Sequence, residues 1–455
     1  MKRLEKNSSL TTGSIASGII YFAIPIILSN FLQQLYNTAD LMIVGKFAGK
    51  NPMAAVGATG HIANLLIGLF LGLTTGASVV VAQVFARDDR QSLKKSVHTS
   101  YAIAILGGIL LSIIGILVSP KLLEMLNTPP EIMDDAVSYM RIFFLGVTPL
   151  LIYNMGAGIL RAVGDSRRPF NFLCVSAVVN IVLDLVLVGY FNMSVRGAGW
   201  ATFSSQLVAA VLVTYNLVKS ERIFRLKLKD IKFHKDMMGL IFKIGIPTGI
   251  QSAVISLSNV LIQAKINAFG ADAIAGNAAE TKIDGFIFMA LQAIALAATT
   301  FAGQNYGAKK HDRIKQGVKV SMAMVLGLAI VLSVLGYIFA DQLIAIFNDD
   351  PDVVRYGASA FRILATGYWI FGMSEVLGAF IRGAGKAVPP MMISVFSMCV
   401  LRIVWVYVTL NIWPQIETIY ISYPISYFAT FFLTYLYYKF GKWRPEDQEQ
   451  LEVED

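Results

Sequence analysis

Apolar residues run in long blocks along this chain, broken at intervals by short polar or basic stretches. The first block opens near Gly18 with "GIIYFAIPIILSNFLQQL" and closes with "YNTADLMIVG" at 36–45. A helix that crosses a bilayer needs about 20 mostly apolar residues. Blocks of that length recur near residues 16–45, 54–82, 97–118, 136–160, 170–191, 198–218, 240–268, 276–303, 318–340, 357–381, 389–411 and 417–438. The pattern predicts twelve membrane-spanning helices. The first block is longer than a cleavable signal core and has no small-x-small site before polar sequence, so it reads as a helix that stays in place.

The blocks fall into two sets of six that repeat at a shift of 221 to 222 residues. "FAIPI" at 22–26 matches "IGIPT" at 244–248, pairing Pro25 with Pro247. "AQVFARDDRQSLKKSV" at 82–97 matches "GQNYGAKKHDRIKQGV" at 303–318, and "GILRAVGDSRRPF" at 158–170 matches "AFIRGAGKAVPPM" at 379–391. Six spans per set make both sets start on the same side of the membrane, so the repeat is parallel, about an axis along the membrane normal. The expected architecture is an all-α integral membrane protein of twelve transmembrane helices in two six-helix lobes. Residues 1–218 form the N-terminal lobe, 219–235 a cytoplasmic linker, 236–440 the C-terminal lobe and 441–455 a cytoplasmic tail. Such a plan implies alternating access, with substrate held between the lobes.

Composition agrees, since 56% of the 455 residues are hydrophobic and 15% are charged. Charge placement tests the count, because lysine and arginine collect in cytoplasmic loops. With the N-terminus inside, 27 of the 38 basic residues fall on the inner side, five on the outer side and six within spans. The net charge of +9 is then a matter of topology and of attraction to anionic lipid rather than a nucleic-acid footprint. Both termini are expected in the cytoplasm, in a protein of the plasma membrane working as a monomer. Cys174 and Cys399 each lie inside a span, where neither a disulfide nor a metal pattern is indicated. There is no His-Glu-x-x-His motif, no Gly-x-Gly-Asp protease signature and no Walker A loop, so neither an enzyme nor an ATP-driven pump is indicated, and no cofactor is expected.

Charges inside spans mark the candidate chemistry, because a carboxylate in the bilayer interior is costly and tends to face a cavity or partner. Asp40 lies in the outer half of the first span. Asn180 and Asp184 share a face of the fifth span at four residues' spacing, and Thr202 lies about one turn into the sixth. The four groups share a similar depth. Two carboxylates in one low-dielectric pocket call for a proton or a small hard cation; the competing reading of Asp40 is an interfacial residue at a helix end. In the C-terminal half, Glu280 and Asp284 share a face of span eight with Lys282 pointing away, Glu375 lies deeper in span ten, and Lys265 and Arg402 lie at comparable outer depth. Buried ion pairs and a substrate cavity both remain open for this set. Met289, Met373, Phe286, Phe288, Tyr368 and Trp369 fit either an adaptable apolar cavity or ordinary core. His61, in the second span, reads as a packing residue.

"QQLYNTADLMIVGKFAG" at 33–49, the paired turns "LRAVGDSRRP" and "IRGAGKAVPP", "NIVLDLVLVG" at 180–189 and "GQNYGA" at 303–308 resemble the multidrug and toxic compound extrusion transporters, over essentially the whole chain. The loop "ARDDRQSLKKS" lacks the pattern usual between spans two and three of the major facilitator superfamily. The resemblance implies an antiporter that exports lipophilic or cationic compounds against entry of H⁺ or Na⁺. It places the coupling cation on Asp40, Asn180, Asp184 and Thr202, with no other metal, and makes Pro25 and Pro247 candidate helix bends, moving or static. A second-lobe cation site is placed in doubt by the lack of an acid in "IQSAVISLSNVLIQAKINAFG". A lipid or lipid-linked saccharide flippase of the same superfamily is the alternative, although such proteins commonly have fourteen spans.

Overall fold

The computed structural model describes residues 10–125 and 128–443, apart from the side chains of residues 58 and 60–66. Most of the expected tail and the His61 side chain therefore lie outside the described residues. The first six helices are α1 (Ile15–Phe47), α2 (Lys50–Ala86), α3 (Arg90–Met125), α4 (Pro130–Ala162), α5 (Arg167–Asp184) and α6 (Ser194–Lys219). They are followed by α7 (Lys235–Ile266), α8 (Ala271–Gly307), α9 (His311–Ile338), the short α10 (Ala340–Ala345), α11 (Pro351–Ala365), α12 (Tyr368–Gly383), α13 (Val388–Val395), α14 (Arg402–Leu410) and α15 (Ile416–Phe440). No strand occurs among the described residues. In lipid this is the expected outcome, since a helix satisfies its own backbone polar groups.

Ten helical stretches are long and apolar enough to cross a membrane, and α11 with α12, bent by 49°, makes an eleventh as one broken span. The twelfth expected span coincides with α15, whose 25 residues include six tyrosines and so fall short on hydropathy alone. Outward faces carry large exposed apolar side chains such as Leu117, Val178 and Phe432, as lipid contact requires. Two spans carry π-helical segments: Leu185–Tyr190 directly follows Asp184, and Phe396–Leu401 directly precedes Arg402. One-turn π segments often sit at functional sites, because they rotate the residues that flank them.

The chain forms two compact units, one holding Ile24–Gly249 and the other Leu10–Ala23 with the chain from Ile250 on. Each boundary falls beside a proline, Pro25 in α1 and Pro247 in α7, and both prolines lie inside unbroken helices. The linker and the first half of α7 thus belong with the first unit. In that unit α4 packs against α2, α3 and α6. The first half of α7 crosses α2 at glycines: a Cβ on Gly72 would stand 2.3 Å from the Gly249 nitrogen, and one on Gly76 2.5 Å from the Ile241 carbonyl. Small residues let helices meet backbone to backbone, the usual way to gain packing in a bilayer. The linker docks on the start of α3, where the Lys227 N–H donates to His98 Nε2 at 3.0 Å and the His234 N–H to Thr99 Oγ1 at 3.1 Å. Lys94 pairs with Asp230 at 2.7 Å, and this hydrogen bond holds the Asp230 carboxyl below the usual carboxylate range.

In the second unit α8 packs against α9, α11 and α12, and α12 against α15. The incoming chain is clamped at Leu10–Thr12. The Leu10 N–H donates to Gln304 Oε1 at 2.8 Å, Arg313 donates to the carbonyls of Leu10 and Thr12, and Lys310 to that of Thr11. The repeat is written into the backbone of the turns. Left-handed residues recur in register at Gly49 and Gly270, Asp88 and Lys309, and Gly164 and Gly385, with φ agreeing within a few degrees in each pair. At the last pair the Gly164 N–H donates to the Arg161 carbonyl and the Gly385 N–H to that of Arg382, both at 2.8 Å.

Candidate functional site

The first unit gathers polar side chains inside an apolar shell. Asp40 lies seven residues before the end of α1, Asp184 is the last residue of α5, and Thr202 lies two turns into α6. Asp40 is 7% exposed, Asn180 1%, Asp184 0% and Thr202 9%. The Asp40 and Asp184 carboxyls face one another closely enough to interact directly. Asn180, one turn before Asp184, presents its amide on the same face. Around them Val44, Val56, Ile67, Leu111, Phe144, Val147, Val188 and Val195 close an apolar cluster contributed by all six helical spans of the unit. Site and shell arise from one pattern: at this depth each helix turns apolar residues to its neighbours, and three of them place oxygen-bearing side chains there instead, one each from α1 and α6 and two from α5.

The polar atoms are poorly satisfied. Asp40 Oδ1, both amide atoms of Asn180 and both carboxyl oxygens of Asp184 are buried without a hydrogen-bond partner. Orphaned buried polar atoms are rare in native proteins, and the binding of an ion is one of the standing reasons for them. A side-chain bond ties α5 to α6 beside the site, where Ser176 Oγ donates to the Ser205 carbonyl at 2.7 Å; within α6, Ser205 Oγ donates to the Thr202 carbonyl at 2.9 Å.

Two residues that sequence reasoning missed join the cluster. Tyr139 of α4 sets its hydroxyl beside Thr202, within the field of both carboxyls. Tyr36 lies one turn before Asp40, between that carboxyl and Gln33. The four-residue spacing from Asp40 was a usable signal for Tyr36; nothing in the sequence singled out Tyr139 from the other aromatic residues of α4. The donors are all oxygens, from carboxyl, amide, hydroxyl and phenol groups, which suits a hard cation or a proton. Among the described residues no cluster of three or more His, Cys, Asp or Glu side chains could hold a metal, so the site offers only two carboxylates.

The second unit holds the other predicted charges, and it separates them. Glu375 pairs with Arg382 at 3.3 Å. Lys282 is exposed on the far side of α8, and Lys265 lies over the Tyr407 ring at 4.1 Å. On one face of α8 the buried Glu280 and the half-buried Asp284 are turned toward Tyr368. Arg402 donates to Ser426 and Asn259 rather than to either acid. Of the expected cavity residues, Phe288 joins Phe371, Tyr368 and Tyr427 in a ring cluster, with centroids 4.4 Å apart for Phe288 and Phe371. Phe286 and Trp369 are instead exposed, and Met373 is buried. Both cysteines are free, Cys399 buried and Cys174 half-buried.

Comparison with known proteins bears on the family and the fold. The MatE family model matches twice, over residues 25–186 and 247–408, two equal segments offset by 222 residues. "Probable multidrug resistance protein YoeA" of Bacillus subtilis is 26% identical over 436 residues, covering 94% of each chain. "Probable multidrug resistance protein NorM" of Thermotoga maritima is 25% identical over 393 residues, covering 86% of this chain and 84% of its own. A crystal structure of MATE in the bent conformation superposes with a TM-score of 0.90 over 95% of this chain and 97% of its own, at 22% identity. The two matched segments span most of the chain and carry the internal repeat, so this protein is a multi-pass membrane transporter of the MATE family.

Proposed function

We propose that this chain is a cation-coupled antiporter that exports small lipophilic or cationic organic compounds by alternating access. The observation that carries the reading is the unsatisfied Asp40–Asp184 cluster, whose four orphaned buried oxygens, from Asp40, Asn180 and Asp184, suit a bound H⁺ or Na⁺. Either cation neutralises charge that the apolar shell would otherwise hold at high cost. Entry of the cation from outside shifts the balance between two arrangements of α1, and Pro25, where one backbone bond is missing, is where that helix yields. Release of substrate outward follows from the same shift, since an ion moves an equilibrium only by binding one arrangement better than the other.

The cargo is inferred from the relatives, two of which are named as multidrug resistance proteins. Those names do not favour the flippase alternative. We place the transporter in the plasma membrane with both termini in the cytoplasm, working as a monomer without a cofactor. The test is gradient-driven efflux from vesicles matched for protein content, with pH and Na⁺ gradients imposed separately. Asp40→Asn should insert and fold but lose its response to the gradient, and the gradient that drives the native protein identifies the ion. Wild-type transport by Asp40→Asn, with an unchanged response, would sink the reading.

A further inference from the structure

We propose that the outer end of the second unit binds the headgroup of a zwitterionic phospholipid that carries a primary ammonium, with the phosphate on Arg355 and Arg362 and the ammonium on Asp349. The site goes beyond the export reading and does not depend on it. Between the chain that follows α10 and the polar face of α11 lies a cavity of about 590 Å³, walled by Asp341, Asp349, Arg355 and Arg362 together with Val354 and Ile363. A volume of that order takes a whole headgroup with its glycerol.

Arginine is scarce at this end of the molecule. Under the inside-positive assignment five basic residues lie outside and six within spans, yet one of each, Arg355 and Arg362, meet at this cavity. Arg362 sits three turns into α11, about 16 Å along the axis from Pro351 at 1.5 Å per residue. A charge at that depth is costly unless it snorkels to the interface or draws polar headgroups toward it. Helix side chains lean toward the N-terminus, and Arg362 follows that direction to meet Asp341 of α10 at 2.6 Å. Tyr337, Ile338 and Phe347 are exposed nearby, and the guanidiniums of Arg362 and Arg355 lie over the Tyr337 and Tyr356 rings at 5.9 and 5.1 Å. Exposed aromatic side chains beside apolar ones mark the level of the headgroups, so the cavity lies where a lipid phosphate lies.

The pairing of charges specifies the ligand. Arg362 gives Asp341 its Nη2, and Arg355 gives Asp352 its Nη2 at 3.0 Å. A guanidinium has five N–H donors in a planar fork, so both arginines keep donors in the geometry that suits phosphate oxygens. Asp350 is engaged as the cap of α11, where it accepts the Asp352 N–H at 2.9 Å. Asp349 is claimed by neither arginine. Between residues 341 and 362, then, the acids Asp341, Asp349, Asp350 and Asp352 outnumber the two arginines. A lipid of net negative charge adds to that excess, whereas phosphoethanolamine is neutral overall and offers each side its opposite. A primary ammonium can donate to the Asp349 carboxylate, as a lysine does; a trimethylammonium has no N–H to give. Val354 and Ile363 supply an apolar wall for the glycerol and the first acyl carbons.

The test is native mass spectrometry of the delipidated full chain in detergent, titrated with phosphatidylethanolamine, phosphatidylcholine and phosphatidylglycerol of equal chain length. Phosphatidylethanolamine should be retained best. Arg355→Gln should weaken its retention roughly tenfold, as expected for one lost charge-assisted hydrogen bond. Asp349→Asn should erase the preference for phosphatidylethanolamine over phosphatidylcholine. Both side chains are exposed, so neither change threatens folding. Arg196→Gln, which removes an outer basic residue of the first unit, is the control and should change nothing. Equal retention of the three lipids, a preference untouched by Asp349→Asn, or a fall with Arg196→Gln as large as that with Arg355→Gln overturns the proposal. Water-soluble glycerophosphoethanolamine separates two sources of the same chemistry: failure to displace the lipid supports a phospholipid site, and full displacement at equal concentration overturns it in favour of the free phosphoester. No gradient is applied, so the outcome is independent of the Asp40 test.

Discussion

A single carboxyl group separates a coupling site from an interfacial helix end, and at Asp40 the surroundings favour coupling. Only 7% of Asp40 is exposed, and it faces a second buried acid. If one cation is shared, Asp184→Asn should fail as Asp40→Asn does, and the double variant should transport hardly less than either single one, since residues acting as one unit are not additive. Efflux rates that fall multiplicatively in the double variant would mean two independent roles. Tyr139→Phe makes a finer probe: it removes one hydroxyl beside Thr202 and leaves the ring in the shell. A lost hydrogen bond near a charge costs about 1.5 kcal/mol, or roughly tenfold in cation affinity. Folding should be intact, and the ion concentration giving half-maximal efflux should rise by about that factor.

Among the helices, two contacts carry unusually specific demands. The crossing of α2 and α7 leaves no room for a side chain at Gly76, whose Cβ would stand 2.5 Å from the Ile241 carbonyl and 2.7 Å from the Gly245 nitrogen. Backbone cannot step aside as a flexible side chain can, so Gly76→Val should destabilise by at least the ~1–3 kcal/mol typical of overpacking. Thermal unfolding in detergent checks this, with Gly57→Ala as the control, since a Cβ at Gly57 meets nothing within 4 Å and alanine favours the helix. The clamp on Leu10–Thr12 is the second contact. Arg313→Ala removes the donor to the Thr12 carbonyl and leaves that of Leu10 to Asn305 Nδ2, and amide exchange over residues 10–23 should quicken while that of α12 stays slow. Unchanged exchange would mean that Gln304, Asn305 and Lys310 hold the segment without Arg313.

For the molecule as a whole, topology is the property most directly open to experiment. The basic stretch 219–235 docks on α3, and under the inside-positive assignment it lies in the cytoplasm. Cysteines placed there should be protected from impermeant reagents in intact cells and become reactive in inverted vesicles. Labelling from outside would overturn the orientation, while the fold itself would stand. The two compact units pose a related question. Each takes part of its first helix from beside the other's sequence, with the division next to Pro25 and Pro247. A helix shared in this way ties the unit that holds its start to the unit that holds its end, so a local change at Asp40 has a covalent route through α1.

The sequence by itself determined the fold class and the repeat, and it pointed to most members of the first-unit polar cluster. Those features rest on local rules: a span must be apolar for about 20 residues, a repeat must recur in register, and an acid in a span is too costly to be idle. Asp40, Asn180, Asp184 and Thr202 were legible because each breaks an apolar pattern at a similar depth. Tertiary structure alone decided what touches what. Tyr139 was one aromatic residue among many until α4 packed beside α6, and Arg402 looked like a partner for Glu280 or Asp284 until Ser426, Asn259 and two tyrosine rings claimed it. The exchange of first-helix halves was equally invisible, because periodicity says which face of a helix is buried but not which neighbour buries it.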